Sequence, residues 1–351
     1  MIVAVDFFCG AGGLTRGLLD SGIDVKFGID VDGNCKTTYE ANNAPAQFKQ
    51  CDIKKLSIKE LSKELAGIPR EELMFAACAP CQPFSKQRTV TRDKRQRTLL
   101  GYFSRFIKTF KPEYVFVENV PGIAKVPGNS TYKRFVSTLK RLGYSYDAAD
   151  VDAKDYGVPQ TRRRHILLAC KSASICIPDP THGPGRRPYE TVRKAIAHFP
   201  PINAGEIHPN IPNHWASALA EVNLKRIQCT PGNGGDRRQW PDELFLDCHK
   251  GDYEGHSDVY GRMWWDRPSP ALTCKCHSLS NGRYGHPKQD RAISLREAAA
   301  LQSFPDSYIF YGKSKGDIGK QIGNAVPVNL ARMVGRQLLM HTNGLLKPKT
   351  V

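Results

Sequence analysis

The stretch that most restricts the fold is the first one. Ile2-Val3-Ala4-Val5-Asp6-Phe7-Phe8 is apolar enough for a buried strand and runs into Cys9-Gly10-Ala11-Gly12-Gly13-Leu14-Thr15-Arg16-Gly17. Strand, glycine turn and helix start follow one another. Glycines let the backbone turn tightly and approach a ligand with no Cβ in the way, and a helix amino terminus favours a negative group. A plain tight turn is the alternative. Val25 to Ile29 then read as a second short strand ending in Asp30-Val31-Asp32. That spacing is where a nucleotide-binding unit places its ribose-binding acid. A third segment ends in Cys51-Asp52-Ile53, which gives Asp52 a strand-end position for accepting an adenine amino proton; a solvated turn acid is the other reading.

Further strands also end in residues that carry chemistry. The apolar run Leu73 to Ala77 leads into Cys78-Ala79-Pro80-Cys81-Gln82-Pro83-Phe84-Ser85, with Pro80 and Pro83 fixing the backbone on either side of a thiol. Open α/β sheets bind ligands at such strand ends, so Cys81 reads as a nucleophile. Lys86 to Arg97 carry six basic side chains in twelve residues without apolar periodicity, either a loop that tracks phosphates or a solvated face. The spacing of Leu99, Tyr102, Phe103, Phe106, Ile107 and Phe110 predicts a helix over 99–110, stopped by Lys111-Pro112. The strand Tyr114 to Val117 ends in Glu118-Asn119-Val120-Pro121-Gly122. Burial there raises a carboxyl pKa and suits Glu118 to share a proton near neutrality; a buried structural acid is the alternative. Asp155 to Arg164 lead into a strand His165 to Ala169. Alternate residues of an extended chain share a face, which groups Gln160, Arg162 and Arg164 on one side. Arginine's planar fork, which keeps its charge, suits phosphate and carbonyl contacts, although a basic strand edge has the same composition.

Across the 351 residues, 51 Lys and Arg against 34 Asp and Glu leave a charge of +17, which points to a polyanion partner, nucleic acid first. Eleven scattered cysteines lack the spacing of a disulfide framework and suit reduced thiols. No run approaches the ~20 apolar residues of a membrane span, and the first residues carry no basic, cleavable leader, so a soluble cytoplasmic protein is expected.

Taken together, Asp-Phe-Phe-Cys-Gly-Ala-Gly-Gly, the acid at 30, Asp52-Ile53, Pro80-Cys81-Gln82, Glu118-Asn119-Val120 and Gln160-x-Arg162-x-Arg164 resemble, in order, motifs I to IV, VI and VIII of the cytosine-C5 DNA methyltransferases. Ile293 to Pro305 resemble motif IX, and Lys320-Gln321-Ile322-Gly323-Asn324-Ala325-Val326-Pro327 resemble motif X. The likeness runs from residue 2 to about 335, leaving about 180–258 unmatched. Where the family usually has Glu followed by an aromatic or bulky residue, this chain has Asp30-Val31, so adenine loses an aromatic wall.

The resemblance implies an α/β, Rossmann-like S-adenosylmethionine-dependent domain with a smaller, irregular target-recognition domain. The expected division is 1–178 plus about 310–345 for catalysis and cofactor, and about 179–309 for recognition. It implies S-adenosylmethionine held by Phe8, Gly10, Gly12, Gly13, Asp30, Val31, Asp52, Ile53, Pro80 and Asn324. Catalysis falls to Cys81, Glu118, Gln160, Arg162 and Arg164. Contacts to double-stranded DNA fall to Gln82, Ser85, Lys86, Arg88, Arg95, Arg97, Arg237 and Arg238. A monomer in the bacterial cytoplasm, near the nucleoid, is expected, with a cognate restriction endonuclease acting separately on the same site. No metal is expected. The rival readings are a Cys78-x-x-Cys81 redox pair, a zinc site among Cys248, His249, His256, Cys274, Cys276 and His277, a tRNA substrate, and an inactive DNA-binding regulator.

Overall fold

The computed structural model describes residues 1–79, 99–128, 130–249 and 258–344. In chain order the first elements are β1 (Val3–Phe7), α1 (Gly13–Ser21), β2 (Asp24–Asp30), α2 (Lys36–Asn42), β3 (Gln47–Gln50), α3 (Ile58–Glu64), β4 (Leu73–Ala77), α4 (Leu99–Phe110), β5 (Tyr114–Asn119), α5 (Thr131–Arg141), β6 (Ser145–Asp152) and β7 (Arg163–Cys170). Strands β1, β4 and β5 are buried at every position, as near-continuous apolar runs covered on both faces should be. Among the described residues seven strands form one sheet in the order β3-β2-β1-β4-β5-β7-β6. Pairing is parallel from β3 through β5, and β7 runs antiparallel to both β5 and β6. The order reverses between β1 and β4, so the carboxyl ends of these two strands flank the crevice where such sheets take ligands.

One side of the sheet is packed by aromatic side chains. The ring of Phe7 lies with its centroid 5.2 Å from Phe75, 5.0 Å from Phe103 and 5.4 Å from Phe106. The helical stripe of α4 supplies two of these three rings, and Phe135 of α5 stacks on Phe103 at 6.0 Å. Truncating one such ring to Ala removes about 3–5 kcal/mol.

The chain divides into two compact units. One comprises Met1–Asp152, Arg163–Pro180 and the chain from Val328; the other comprises Ala153–Arg162 and Thr181–Pro327. The division expected from sequence puts 153–162 and 310–327 with the first part; both segments instead pack within the second. The first unit is completed by the last helix, Val328–Thr342. It lies so close on α1 that a Cβ on Gly17 would come 2.4 Å from Ala331 Cβ and 2.5 Å from the Val328 carbonyl. Arg332 Nη2 also donates to Asp20 Oδ2 at 2.8 Å, and the Tyr114 hydroxyl meets His341 Nδ1 at 3.0 Å.

The second unit contains α6 (Val192–Ile196), α7 (Glu221–Gln228), α8 (Leu295–Leu301) and α9 (Lys315–Asn324), and the helix already described as closing the first unit is α10. Much of the rest is irregular, so backbone carbonyls without ladder partners must find other donors. Buried arginines supply them. Arg262 donates from Nε to Thr230 O at 2.8 Å, from Nη1 to His286 O at 3.0 Å and from Nη2 to Ile227 O at 2.7 Å. Arg291 grips Glu297 through two bonds of 2.7 Å, and Glu297 forms with Ser294 the capping box that starts α8.

Candidate active site

The glycine turn after β1 is drawn over the end of β2. Phe8 and Cys9 donate their backbone N–H groups to Ile29 O at 2.7 and 3.2 Å, and Gly12 N closes a turn on Cys9 O at 2.9 Å. Phe8 itself adopts φ +62°, Gly10 φ +50° and Gly12 φ +88°. A non-glycine residue in this region costs on the order of 1–3 kcal/mol and marks a backbone held for a purpose. At Gly10 a Cβ would meet nothing within 4 Å, so the turn faces open space.

Asp30 anchors this turn. Its Oδ2 accepts from Gly10 N at 2.9 Å and its Oδ1 from Asp32 N at 2.8 Å, while burial pushes its carboxyl above the ordinary range and these two bonds oppose the rise. Each oxygen keeps a second lone pair for a hydroxyl ligand. Beside it Val31 is 65% exposed, a bare apolar face, and Ile53 is buried. Asp52 Oδ1 accepts from Lys54 N at 3.0 Å. An open glycine turn, a carboxylate with spare lone pairs and an uncovered apolar side chain fit a nucleoside carrying a polar tail.

Across the crevice, β5 ends at Glu118 and Asn119. Antiparallel pairing with β7 sets Glu118 opposite Ile166, so Arg164, two residues earlier on β7, projects from the same face. Arg164 Nε lies 2.8 Å from Glu118 Oε1, with only 17% and 11% of the two side chains exposed. Asn119 projects from the other face and its Nδ2 donates to Ala79 O at 3.1 Å. Burial, with Glu118 and Asp6 nearby, pushes the Cys78 thiol well up, which disfavours it as a thiolate.

The remaining expected residues are placed differently. Alternation groups Gln160 and Arg162 with Arg164, but both belong to the second unit and are spent there. Gln160 Nε2 donates to Leu301 O at 3.2 Å and to Gln302 Oε1 at 3.0 Å, and its Oε1 accepts from Leu272 N at 2.9 Å. Arg162 donates at 2.8 Å to both Leu272 O and Gly323 O. Strand β7 begins only at Arg163, so the alternation does not carry back to them. Arg237 is buried, and Arg238, though exposed, forms a forked pair with Asp236 at 2.9 and 2.6 Å. Asn324, at the end of α9, accepts from Cys274 Sγ at 3.1 Å within the second unit. Pro80, Cys81, Gln82, Ser85, Lys86, Arg88, Arg95 and Arg97 lie outside the described residues. Of the zinc alternative, His256 also lies outside them, and burial pushes the Cys276 thiol up to about 12.

Sequence reasoning passed over Asp6. It is fully buried in β1 beneath the glycine turn, and its Oδ2 accepts from Thr15 Oγ1 at 2.7 Å. Oδ1 finds no hydrogen-bond partner among the described residues, and burial raises the carboxyl to about 7. The signal was present in an acid set inside an otherwise apolar strand.

A sheet of this order, with a glycine turn at β1 and an acid–arginine pair at β5 and β7, defines a Rossmann-like methyltransferase domain. The model of the C-5 cytosine-specific DNA methylase family matches residues 2–340, and the chain belongs to that family. It is 40% identical to the Type II methylase M.HgiDII of Herpetosiphon aurantiacus, over 97% of this chain and 96% of that one. It is 33% identical to the Type II methyltransferase M1.HphI of Haemophilus parahaemolyticus, over 97% of this chain and 87% of that one. Among solved structures it resembles a candidate DNA modification methyltransferase encoded in an Escherichia coli prophage, with a TM-score of 0.77, 21% identity, and coverage of 98% of this chain and 100% of that one.

Proposed function

We propose that this methylase transfers a methyl group from S-adenosylmethionine to C5 of a cytosine flipped out of a specific double-stranded DNA sequence. The observation that carries this reading is the Glu118–Arg164 pair at the mouth of the crevice, with Asn119 holding the carbonyl of Ala79 two residues before Cys81. Cytosine C5 is too weak a nucleophile to take a methyl group unaided, so a thiolate must first add at C6. Cys81 makes that bond. Glu118 holds N3 and the exocyclic amine, and Arg164 binds O2, so charge displaced into the ring meets hydrogen bonds and a fixed cation. The sulfonium cofactor supplies an electrophilic methyl group. The C5 proton then leaves to a base, the Cys81–C6 bond breaks, and 5-methylcytosine is released with the thiolate restored.

The cofactor is held by the turn at Phe8, Gly10, Gly12 and Gly13, its ribose by Asp30, and its adenine by Val31, Asp52 and Ile53, with Pro80 beside them. Gln160 and Arg162 act through the connection they brace, which leads directly into β7 and Arg164. The second unit reads the target sequence. Flipping the base costs a few kcal/mol, which phosphate contacts from the basic segment around Lys86, Arg88, Arg95 and Arg97 offset. A restriction endonuclease recognising the same site is the expected companion activity.

The test is bisulfite sequencing of genomic DNA and tRNA from a methylation-deficient host expressing the protein, with Cys81→Ser as control. Methylated cytosines within one short DNA motif, absent from the control, are expected. Methylation confined to tRNA would move the substrate, and unmodified DNA and tRNA from soluble, cofactor-binding protein would leave only a DNA-binding role.

A further inference from the structure

On the face of β7 opposite Arg164, three side chains form a chain of hydrogen bonds that runs from the interior out to the exposed Asp150 on β6, outside the cofactor turn and the acid–arginine pair. The Tyr132 hydroxyl, from the first turn of α5, lies 2.6 Å from His165 Nε2, and His165 Nδ1 lies 2.8 Å from Asp150 Oδ1 on β6. The Tyr132 and His165 rings meet edge-on, centroids 5.0 Å apart at 80°. Tyr132 and His165 are both buried. With its proton on Nδ1, the ring donates to the Asp150 carboxylate and accepts the phenol proton at Nε2. Burial pushes the Tyr132 phenol up, which keeps it a donor.

Its position gives this chain leverage on the site. His165 stands in register with Asn119 on one side and Asp150 on the other. On β5 the residue before Asn119 is Glu118, and on β7 the residue before His165 is Arg164. Successive residues of a strand project to opposite faces, so a shift of the backbone at His165 carries Arg164 with it. Most of this face is filled by apolar side chains such as Val115, Val117, Leu167 and Ala169, which pack without directional bonds. At its carboxyl end a fully bonded histidine replaces apolar packing and fixes strand height and rotation.

We infer that Asp150, His165 and Tyr132 form a positioning lock that holds β5 and β7 at the register in which Arg164 and Glu118 engage the target base. This rests on the reading of Glu118 and Arg164 given above. His165 and Asp150 lie on the face away from Glu118 and Arg164, so the three act as positioning residues.

The test compares steady-state methyl transfer to DNA by the wild type and variants whose melting curves establish folding. Tyr132→Phe keeps the ring and loses one bond; it is expected to lower kcat about 5–10-fold with the KM values for DNA and cofactor within about twofold. His165→Leu is expected to lose about 10–100-fold, the scale set by ångström-level misplacement of a reacting group, and His165→Gln to recover part of it. Because the lock acts through Arg164, Tyr132→Phe added to Arg164→Lys should cost little more than Arg164→Lys alone. Folded Tyr132→Phe with wild-type kcat would overturn the lock, as would losses that multiply in the double variant or KM values rising in step with falling kcat. An inactive wild type would overturn the methyltransferase reading itself; an active wild type with unaffected variants would overturn only the lock.

Discussion

Arg164 Nε and Glu118 Oε1 stand 2.8 Å apart because the carboxyl end of β5 is laid against the amino end of the antiparallel β7. Parallel strands would have placed both residues at ends pointing the same way. The reversal at β7 instead lets one element finish, and another begin, at a single point. Both side chains are largely withdrawn from water, so each depends on the other for compensation of its charge.

Breaking this pair should affect chemistry more than folding when shape is nearly kept. Glu118→Gln removes the carboxylate that faces Arg164 and is expected to lower kcat by about 10²–10⁴, and Arg164→Lys, which loses the planar fork, by about 10². Melting temperatures should fall by only a few degrees for Arg164→Lys and further for Glu118→Gln, which leaves Arg164 without its counter-charge. Arg164→Met strands the carboxylate and should cost about 3 kcal/mol of stability, measured by urea unfolding.

Asp6 predicts a pH dependence of stability. Its folded pKa of about 7 lies above the ordinary 3.8, so the folded form keeps a proton that the unfolded chain releases. Stability from this group is full below about 3.8 and is lost as pH rises through about 7, by on the order of 4 kcal/mol at most. Asp6→Asn removes that titration. Melting curves from pH 5 to 8 should show the variant gaining on the wild type as pH rises, and parallel curves would refute the assignment.

In the second unit, Glu297 titrates in the opposite sense. Its bonds from Arg291 and Ser294 hold the carboxyl down at about 2 despite burial. The stability it contributes is present above the ordinary 4.5 and is lost as pH falls toward about 2. Glu297→Gln leaves Arg291 buried and uncompensated, a loss of about 3–5 kcal/mol in denaturant titrations at pH 7.

Gly17 is required by the approach of α10. Gly17→Val would drive side-chain carbons into Ala331 and the Val328 carbonyl, since even a single methyl carbon there would lie 2.4 and 2.5 Å from them. The variant should release α10 and expose protease sites near residue 328, with a stability loss of several kcal/mol seen by limited proteolysis and calorimetry.

Much of the first unit could be read from its residues. Apolar runs ending in Asp, Cys and Glu placed the strands, and the 99–110 stripe became α4 with the expected bounds. Strand order and the antiparallel β7 could not be read, because pairing is decided between segments far apart in the chain. The placing of the arginine side chains was illegible for a different reason. The side chains of Arg162 and Arg237 look the same in sequence whether their N–H groups face phosphates or the protein interior. The carbonyls that claim Arg162 come from residues 272 and 323, more than a hundred positions away. Asp6 was hidden inside a strand otherwise defined by its apolar neighbours.

Helix α10 rests on α1 after the whole second unit has been threaded between them. A ribosome adding about 5–20 residues per second reaches α10 on the order of ten seconds after the last strand of the sheet has emerged. Until then the glycine-bearing side of α1 and the Tyr114 end of β5 have no cover. The nascent chain therefore has a built-in delay: the first unit is finished only once the second has been made, so truncated products lack the seam that closes the first unit.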